Sequence, residues 1–133
     1  MVYLLDTSTW ILFLKGANIN LLQKMEAVAP EEVATCSVVK AELWYGALKY
    51  GNPERRRTTV SELLEPYRSL PFDENSIDAY AAIRHDLDQR GLNIGPNDLM
   101  IAAIARAHSL TLVSTNTREF SRVADLQVED WTR

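Results

Sequence analysis

Val2-Tyr3-Leu4-Leu5-Asp6-Thr7-Ser8-Thr9-Trp10 opens the chain with an apolar run, one acid and three hydroxyls. Residues 2–5 are apolar throughout rather than alternating, which predicts a short strand buried on both faces, as in parallel sheets. The group Thr7-Ser8-Thr9 predicts the cap of a helix that begins near Trp10 and ends at Gly16. A strand that passes straight into a helix is the start of an alternating α/β pattern. The rest of the chain repeats it.

Leu21, Leu22, Met25 and Val28 stand at helical spacing and predict a second helix over 19–28, closed by Pro30. Val33-Ala34-Thr35-Cys36 predicts a second strand, with Ser37 as N-cap of a helix over 37–50. That helix carries Val38, Val39, Leu43, Trp44, Ala47 and Leu48 and is apolar around most of its circumference. Gly51 stops it, and Asn52-Pro53 starts another helix that runs to about 67. A strand near 70–72, a helix over 75–90 ended by Gly91, a loop at 92–97 and a helix over 97–108 follow. A strand at 110–114 and a final edge strand within 126–131 complete the pattern. The prediction is an α/β sandwich with a mostly parallel central sheet flanked by helices, built as a single domain over 1–133.

At 47% hydrophobic and 24% charged residues, the composition is that of an ordinary globular domain. No apolar run approaches the roughly 18–20 residues of a membrane span, and no signal-peptide pattern opens the chain, so a cytoplasmic protein is expected. The single cysteine, Cys36, can form no internal disulfide and reads as a small buried hydrophobe. His85 and His108 stand alone on helices and suggest no zinc spacing; both are expected to be solvated or satisfied locally. A net charge of −4 argues against indiscriminate nucleic-acid binding. Ten of the fourteen basic residues are arginines, including Arg55-Arg56-Arg57, and arginine suits bidentate phosphate contacts. Three in a row spread around a helix axis, so a solvated face is the simpler reading of that run.

The chemistry gathers at four residues. Asp6 and Asn116 end apolar runs, while Glu42 and Asp98 lie near predicted helix starts. In a parallel sheet, strand C-termini and the following helix N-termini share one edge, so the fold would bring the four together. Taken singly, each has a structural explanation: Asp6 and Asp98 as helix caps, Asn116 as a turn former. Glu42 resists one, because Val38, Tyr45 and Gly46 put it on a face expected to pack. Asp6, Glu42 and Asp98 would repel one another at that edge unless a hard divalent cation such as Mg²⁺ or Mn²⁺ joined them. Such a site suits phosphodiester hydrolysis.

The same residues carry a resemblance. Leu4-Leu5-Asp6-Thr7-Ser8 resembles the first motif of the PIN-domain nucleases. Ser37-Val38-Val39-Lys40-Ala41-Glu42-Leu43-Trp44-Tyr45-Gly46 is similar to their second, and Gly95-Pro96-Asn97-Asp98-Leu99-Met100-Ile101-Ala102-Ala103 to their third. Thr115-Asn116-Thr117-Arg118-Glu119-Phe120 and Val128-Glu129-Asp130-Trp131 resemble the C-terminal part. Each motif alone is weak; four in order over nearly the whole chain are specific, and the match is best to the VapC toxins of toxin–antitoxin pairs.

The resemblance implies a PIN-like three-layer sandwich and a Mg²⁺- or Mn²⁺-dependent endoribonuclease acting on structured RNA, often transfer RNA. It also implies a homodimer and a VapB-type antitoxin that covers the active site and contacts DNA, so that the toxin meets DNA only indirectly. Carried over by position, Asp6 and Asp98 are metal ligands, and Glu42 is a third ligand or orients the attacking water. Asn116 stands where the family often has aspartate, lowering the site's charge by one. Ser8 and Thr115 supply hydroxyls that could hold a carboxylate or water. Glu119 could contribute, although a solvent-facing position is the simpler reading. Trp10, Trp44 and Tyr45 could stack on bases, although core packing is the commoner fate of such aromatics. Arg84, Arg90 and Arg118 are candidate phosphate contacts, and the apolar surface over 10–28 suggests a dimer or antitoxin face.

Rival readings fit less well. A haloacid-dehalogenase-type phosphotransferase needs an aspartate where Ser8 stands, a receiver domain needs a late lysine that is missing after Lys49, and no P-loop is present. The alternative kept open is a PIN-like non-catalytic RNA- or protein-binding module, which the Asn116 departure allows.

Overall fold

The computed structural model describes all 133 residues, Met1–Arg133. In chain order the elements are β1 (Tyr3–Leu5), α1 (Thr7–Lys15), α2 (Ile19–Ala27), β2 (Val33–Cys36), α3 (Ser37–Leu48) and α4 (Pro53–Leu64). Then come β3 (Arg68–Leu70), α5 (Glu74–Gln89), α6 (Pro96–Ala107), β4 (Thr111–Val113), α7 (Thr117–Phe120) and β5 (Val128–Glu129). The strands form one sheet in the order β3-β2-β1-β4-β5, and every neighbouring pair is parallel. The expected sandwich is therefore present, with a wholly rather than mostly parallel sheet.

Strand order explains where a site can form. From β1 the chain steps outward through β2 to β3, then returns to place β4 and β5 on the other side of β1. Connections leave β1 and β4 in opposite directions, which opens a crevice at their C-terminal ends. β2 is buried at every position, as expected for a strand with helices over both faces. The core joins 28 buried residues, including Trp10, which packs at 5.0 Å from the Tyr67 ring and 6.0 Å from that of Phe13. Trp10 is thus a core residue and meets no substrate.

Several local expectations are corrected. α1 starts at Thr7, and Asp6 is its cap: in extended conformation it accepts the Thr9 N–H. Gly16 ends that helix with φ 67°, a left-handed value glycine adopts without a Cβ clash. Ser37 is the first residue of α3 rather than its cap; its hydroxyl accepts the Phe72 N–H at 3.2 Å and ties α3 to the chain leaving β3. β3 lies at 68–70, before the expected 70–72, with Leu70 paired to Cys36. Pro71 has no N–H to extend the ladder. The single-turn α7 was not expected at all.

His108 is half-buried at the end of α6, and its Nε2 is buried without a partner, contrary to the expectation that it is solvated or satisfied locally. Cys36 is buried, and burial is the main cause that pushes its thiol up to about 11. No helix is long and apolar enough to cross a membrane.

Candidate active site at the strand-order reversal

Asp6 leaves β1 beside the exit of β4, and its backbone N–H donates to the Val113 carbonyl at 3.0 Å. Its carboxylate is only 3% exposed. Oδ1 accepts from the Thr9 N–H at 3.0 Å and the Thr9 hydroxyl at 2.7 Å. Oδ2 accepts from the Ser114 hydroxyl at 2.5 Å, and the Ser8 hydroxyl lies 3.0 and 3.2 Å from the two oxygens. Burying a carboxylate is costly unless donors replace its water, and here they do. The cap and the site are therefore one arrangement: the bond that starts α1 also fixes the acid. Ser8 does what was expected of it. Thr115 does not reach a carboxylate; its hydroxyl lies 3.2 Å from that of Ser8 and steadies it.

Glu42 projects from the second turn of α3, half-buried, and its Oε1 accepts the Thr7 hydroxyl at 2.5 Å. Contrary to the expectation that it packs, the face it shares with Tyr45 is only partly covered: Val38 is buried, but Tyr45 is 61% exposed. That face lines a groove instead, so Glu42 reaches solvent.

Asp98, in the first turn of α6, reports the common field. Its carboxyl is pushed up to about 6, first by burial, then by the charges of Asp6, Glu119 and Glu42. Asp6, Glu42 and Asp98 are thus brought together. Glu119 joins them, although a solvent-facing position was expected. It is half-buried, accepts the Gly95 N–H at 3.1 Å, and accepts the Asn116 side chain at 2.6 Å. An ionised carboxylate only accepts hydrogen bonds, so the Asn116 group facing it is the NH₂, which leaves Oδ1 free. The Asn116 backbone N–H is held by the Ser114 hydroxyl at 2.9 Å.

Thr7, Thr9 and Ser114 were missed as site residues, and Glu119 was set aside as solvent-facing. A sequence signal exists for two of them. Ser114 is the first polar residue after an apolar strand, and Asn116 with Glu119 has the spacing of a capping box across one helical turn. Of the arginines expected to meet phosphate, Arg90 is bound to Asp86 and the Arg122 carbonyl, and Arg84 to the Tyr80 hydroxyl at 3.1 Å. Arg118 is exposed.

Four acids here have no Lys or Arg partner; the ion pairs are Arg90–Asp86, Arg106–Asp125 and Arg133–Asp130. No three acids are close enough to share an ion in this arrangement, so the side chains must converge further to do so. The donors are all oxygens and carry excess negative charge. By chemistry that set fits a hard divalent cation.

Residues 3–126 match the family model described as the PIN domain. The chain belongs to the PIN-domain family. This PIN-domain protein is 36% identical over 129 residues to the ribonuclease VapC2 of Haemophilus influenzae, covering 97% of each chain. It is 33% identical over 130 residues to the tRNA(fMet)-specific endonuclease VapC of Shigella flexneri, covering 98% of each. Its fold matches a chain in the crystal structure of DNA-bound VapBC from Salmonella typhimurium with a TM-score of 0.93, 30% identity and 98% of both chains covered. Within the PIN domains it is of the VapC ribonuclease type.

Proposed function

We propose that this PIN domain is a Mg²⁺- or Mn²⁺-dependent endoribonuclease toxin that cuts structured RNA, with transfer RNA the first substrate to try. The observation that carries the reading is the cluster of Asp6, Glu42, Asp98 and Glu119 at the strand-order reversal, none paired with a Lys or Arg, where burial and the other three acids push the Asp98 carboxyl up to about 6. A divalent cation held by Asp6, Asp98 and Glu42 would supply an activated water and neutralise charge on the scissile phosphate. Asp6, locked by Thr9 and Ser114, gives the site its fixed point. Glu42, with one oxygen on Thr7, leaves the other free, where it would hold the cation or orient the attacking water. Glu119 and Asn116 hold the loop before α6 through Gly95, and so set where Asp98 stands.

The similarity to VapC chains solved in DNA-bound VapBC complexes supports a cognate VapB-type antitoxin as partner. From the family resemblance we further expect that antitoxin to inhibit the toxin and to be its only link to DNA, and the toxin to be a cytoplasmic homodimer. Purified protein, shown to be folded and free of antitoxin, should cut total cellular RNA into discrete fragments with Mg²⁺ or Mn²⁺. EDTA or Asp98→Ala should prevent it. Folded protein that cuts nothing under any of these conditions would leave the non-catalytic binding module as the better reading.

A further inference from the structure

α3, α4 and α1 enclose a groove of about 1450 Å³ that starts at Thr7, Glu42 and Asn97 and runs out along the α3–α4 hairpin. The protein as a whole carries 18 acidic and 14 basic residues, yet the groove is lined by four cations, Lys15, Lys49, Arg55 and Arg56, against one acid, Glu42. Tyr45 and Tyr50 stand on its rim, 61% and 60% exposed. Each carries a cation on its ring: Lys49 Nζ lies 4.7 Å from the Tyr45 centroid, and the Arg56 guanidinium 5.1 Å from that of Tyr50. Arg56 also donates to the Gly51 carbonyl at 2.9 Å, which fixes its direction. The run Arg55-Arg56-Arg57 therefore divides: two face the groove, while Arg57 lies over Trp44 on the other side of α3.

Interleaved cations and exposed aromatic faces are what a single nucleic-acid strand requires, since phosphates need charge and unstacked bases need a π-face. A polar strand also explains why the cations gather beside a cluster of acids that would otherwise repel a phosphate. We infer that the RNA strand leaves the catalytic edge along this groove, with Lys49, Arg55 and Arg56 on its phosphates and Tyr45 and Tyr50 under its bases. The inference rests on the nuclease reading and adds the path and the residues that set substrate preference. The apolar wall of Ile11 and Leu14 makes a protein helix the competing occupant.

The test uses the whole protein in EDTA, so that no cleavage occurs, and a fluorescent single-stranded RNA of about 12 nucleotides as the probe. Lys49→Gln with Arg55→Gln should weaken binding at least ~tenfold and flatten the salt dependence by about 1.4 in slope, from about 0.7 per phosphate on single strands. Lys24→Gln with Arg68→Gln, the same change in net charge outside the groove, should change neither. Tyr45→Ala with Tyr50→Ala should weaken binding at least ~fivefold with the salt slope kept, the mark of lost stacking. Melting temperatures close to wild type would confirm that all three variants fold.

With Mg²⁺ or Mn²⁺ present, the groove variants should raise KM and leave kcat near wild type. Groove variants that bind RNA as tightly as wild type overturn the path, even if wild type cleaves RNA normally; in that case the nuclease reading stands alone. Wild type that binds the RNA in EDTA through these residues but never cleaves it keeps the path and sinks the nuclease. Loss of antitoxin affinity with unchanged RNA affinity assigns the groove to a protein and overturns the proposal.

Discussion

Asp6 and Asp98 belong to one acid cluster but are held in opposite ways. Asp6 is almost fully buried, yet one N–H and three hydroxyls surround its oxygens, from α1 on one side and the exit of β4 on the other. Asp98 is only half-buried, but everything that acts on its carboxyl raises its pKa: burial first, then three neighbouring acids. The contrast shows that depth alone does not decide what a buried charge costs. Donors in place make the deeper acid comfortable, while the shallower one is left under strain. One end of the site is thus preorganised, and the other is the end that a cation would relieve.

The largest effect should come from removing either acid. Asp6→Ala or Asp98→Ala should each lower RNA cleavage on the order of a thousandfold, measured as the rate of fragment formation with Mg²⁺. Full activity in either variant would end the proposed mechanism.

A second test reaches only the preorganised end. Ser114→Ala removes the shortest bond to Asp6 and the support of the Asn116 N–H. It should lower metal affinity or activity by roughly 10–100-fold. Unchanged metal affinity, read from the melting-temperature rise on adding Mg²⁺, would mean that Asp6 needs no such support.

The comparison is sharpest in the metal-free protein, where the two acids should give opposite signs. Asp6→Asn replaces an oxygen acceptor by a donor among hydroxyls and should cost about 1–3 kcal/mol of stability. Asp98→Asn should raise the melting temperature in EDTA. Its gain depends on pH in a defined direction. A raised carboxyl pKa penalises the folded state only when the group is ionised. The gain should therefore be absent below the ordinary value of 3.8, grow with rising pH, and be complete above about 6. Equal shifts of one sign in both variants would erase the distinction drawn here.

The smallest effect concerns Glu119. Glu119→Gln keeps an acceptor for the Gly95 N–H and, with a flip of Asn116, a bond across α7. It removes one of the charges that raise Asp98, so the pH at which the Mg²⁺-induced melting shift appears should move down. A midpoint that stays in place would show that Glu119 acts on the loop but not on the field of the site.

Much of the fold was legible because buried parallel strands are short apolar runs and their helices carry strong start signals. Val2-Tyr3-Leu4-Leu5 and Leu110-Thr111-Leu112-Val113 lead to β1 and β4, and Asn52-Pro53 marks the start of α4. Boundaries failed where a local signal had a distant use. Ser37 looks like a cap, but its hydroxyl serves Phe72, 35 residues away. The apolar circumference of α3 promised a packed helix, yet part of it, Tyr45 and Leu48 included, is exposed, and Tyr45 lines the groove. Composition records how apolar a face is and not what lies opposite.

The sequence by itself determined the alternation of strands and helices, and it placed Asp6, Glu42 and Asp98 at the ends of elements that a parallel sheet gathers on one edge. That much follows from periodicity and chain order, which are local properties. Only the tertiary structure decided how each acid is held: the Ser114 hydroxyl on Asp6, Glu119 turned inward by Asn116 and Gly95, and cations and tyrosines collected on one groove. These are contacts between residues distant in sequence or turned by a helix of a single turn. Their energies depend on distances of a few ångströms, which one-dimensional spacing cannot express.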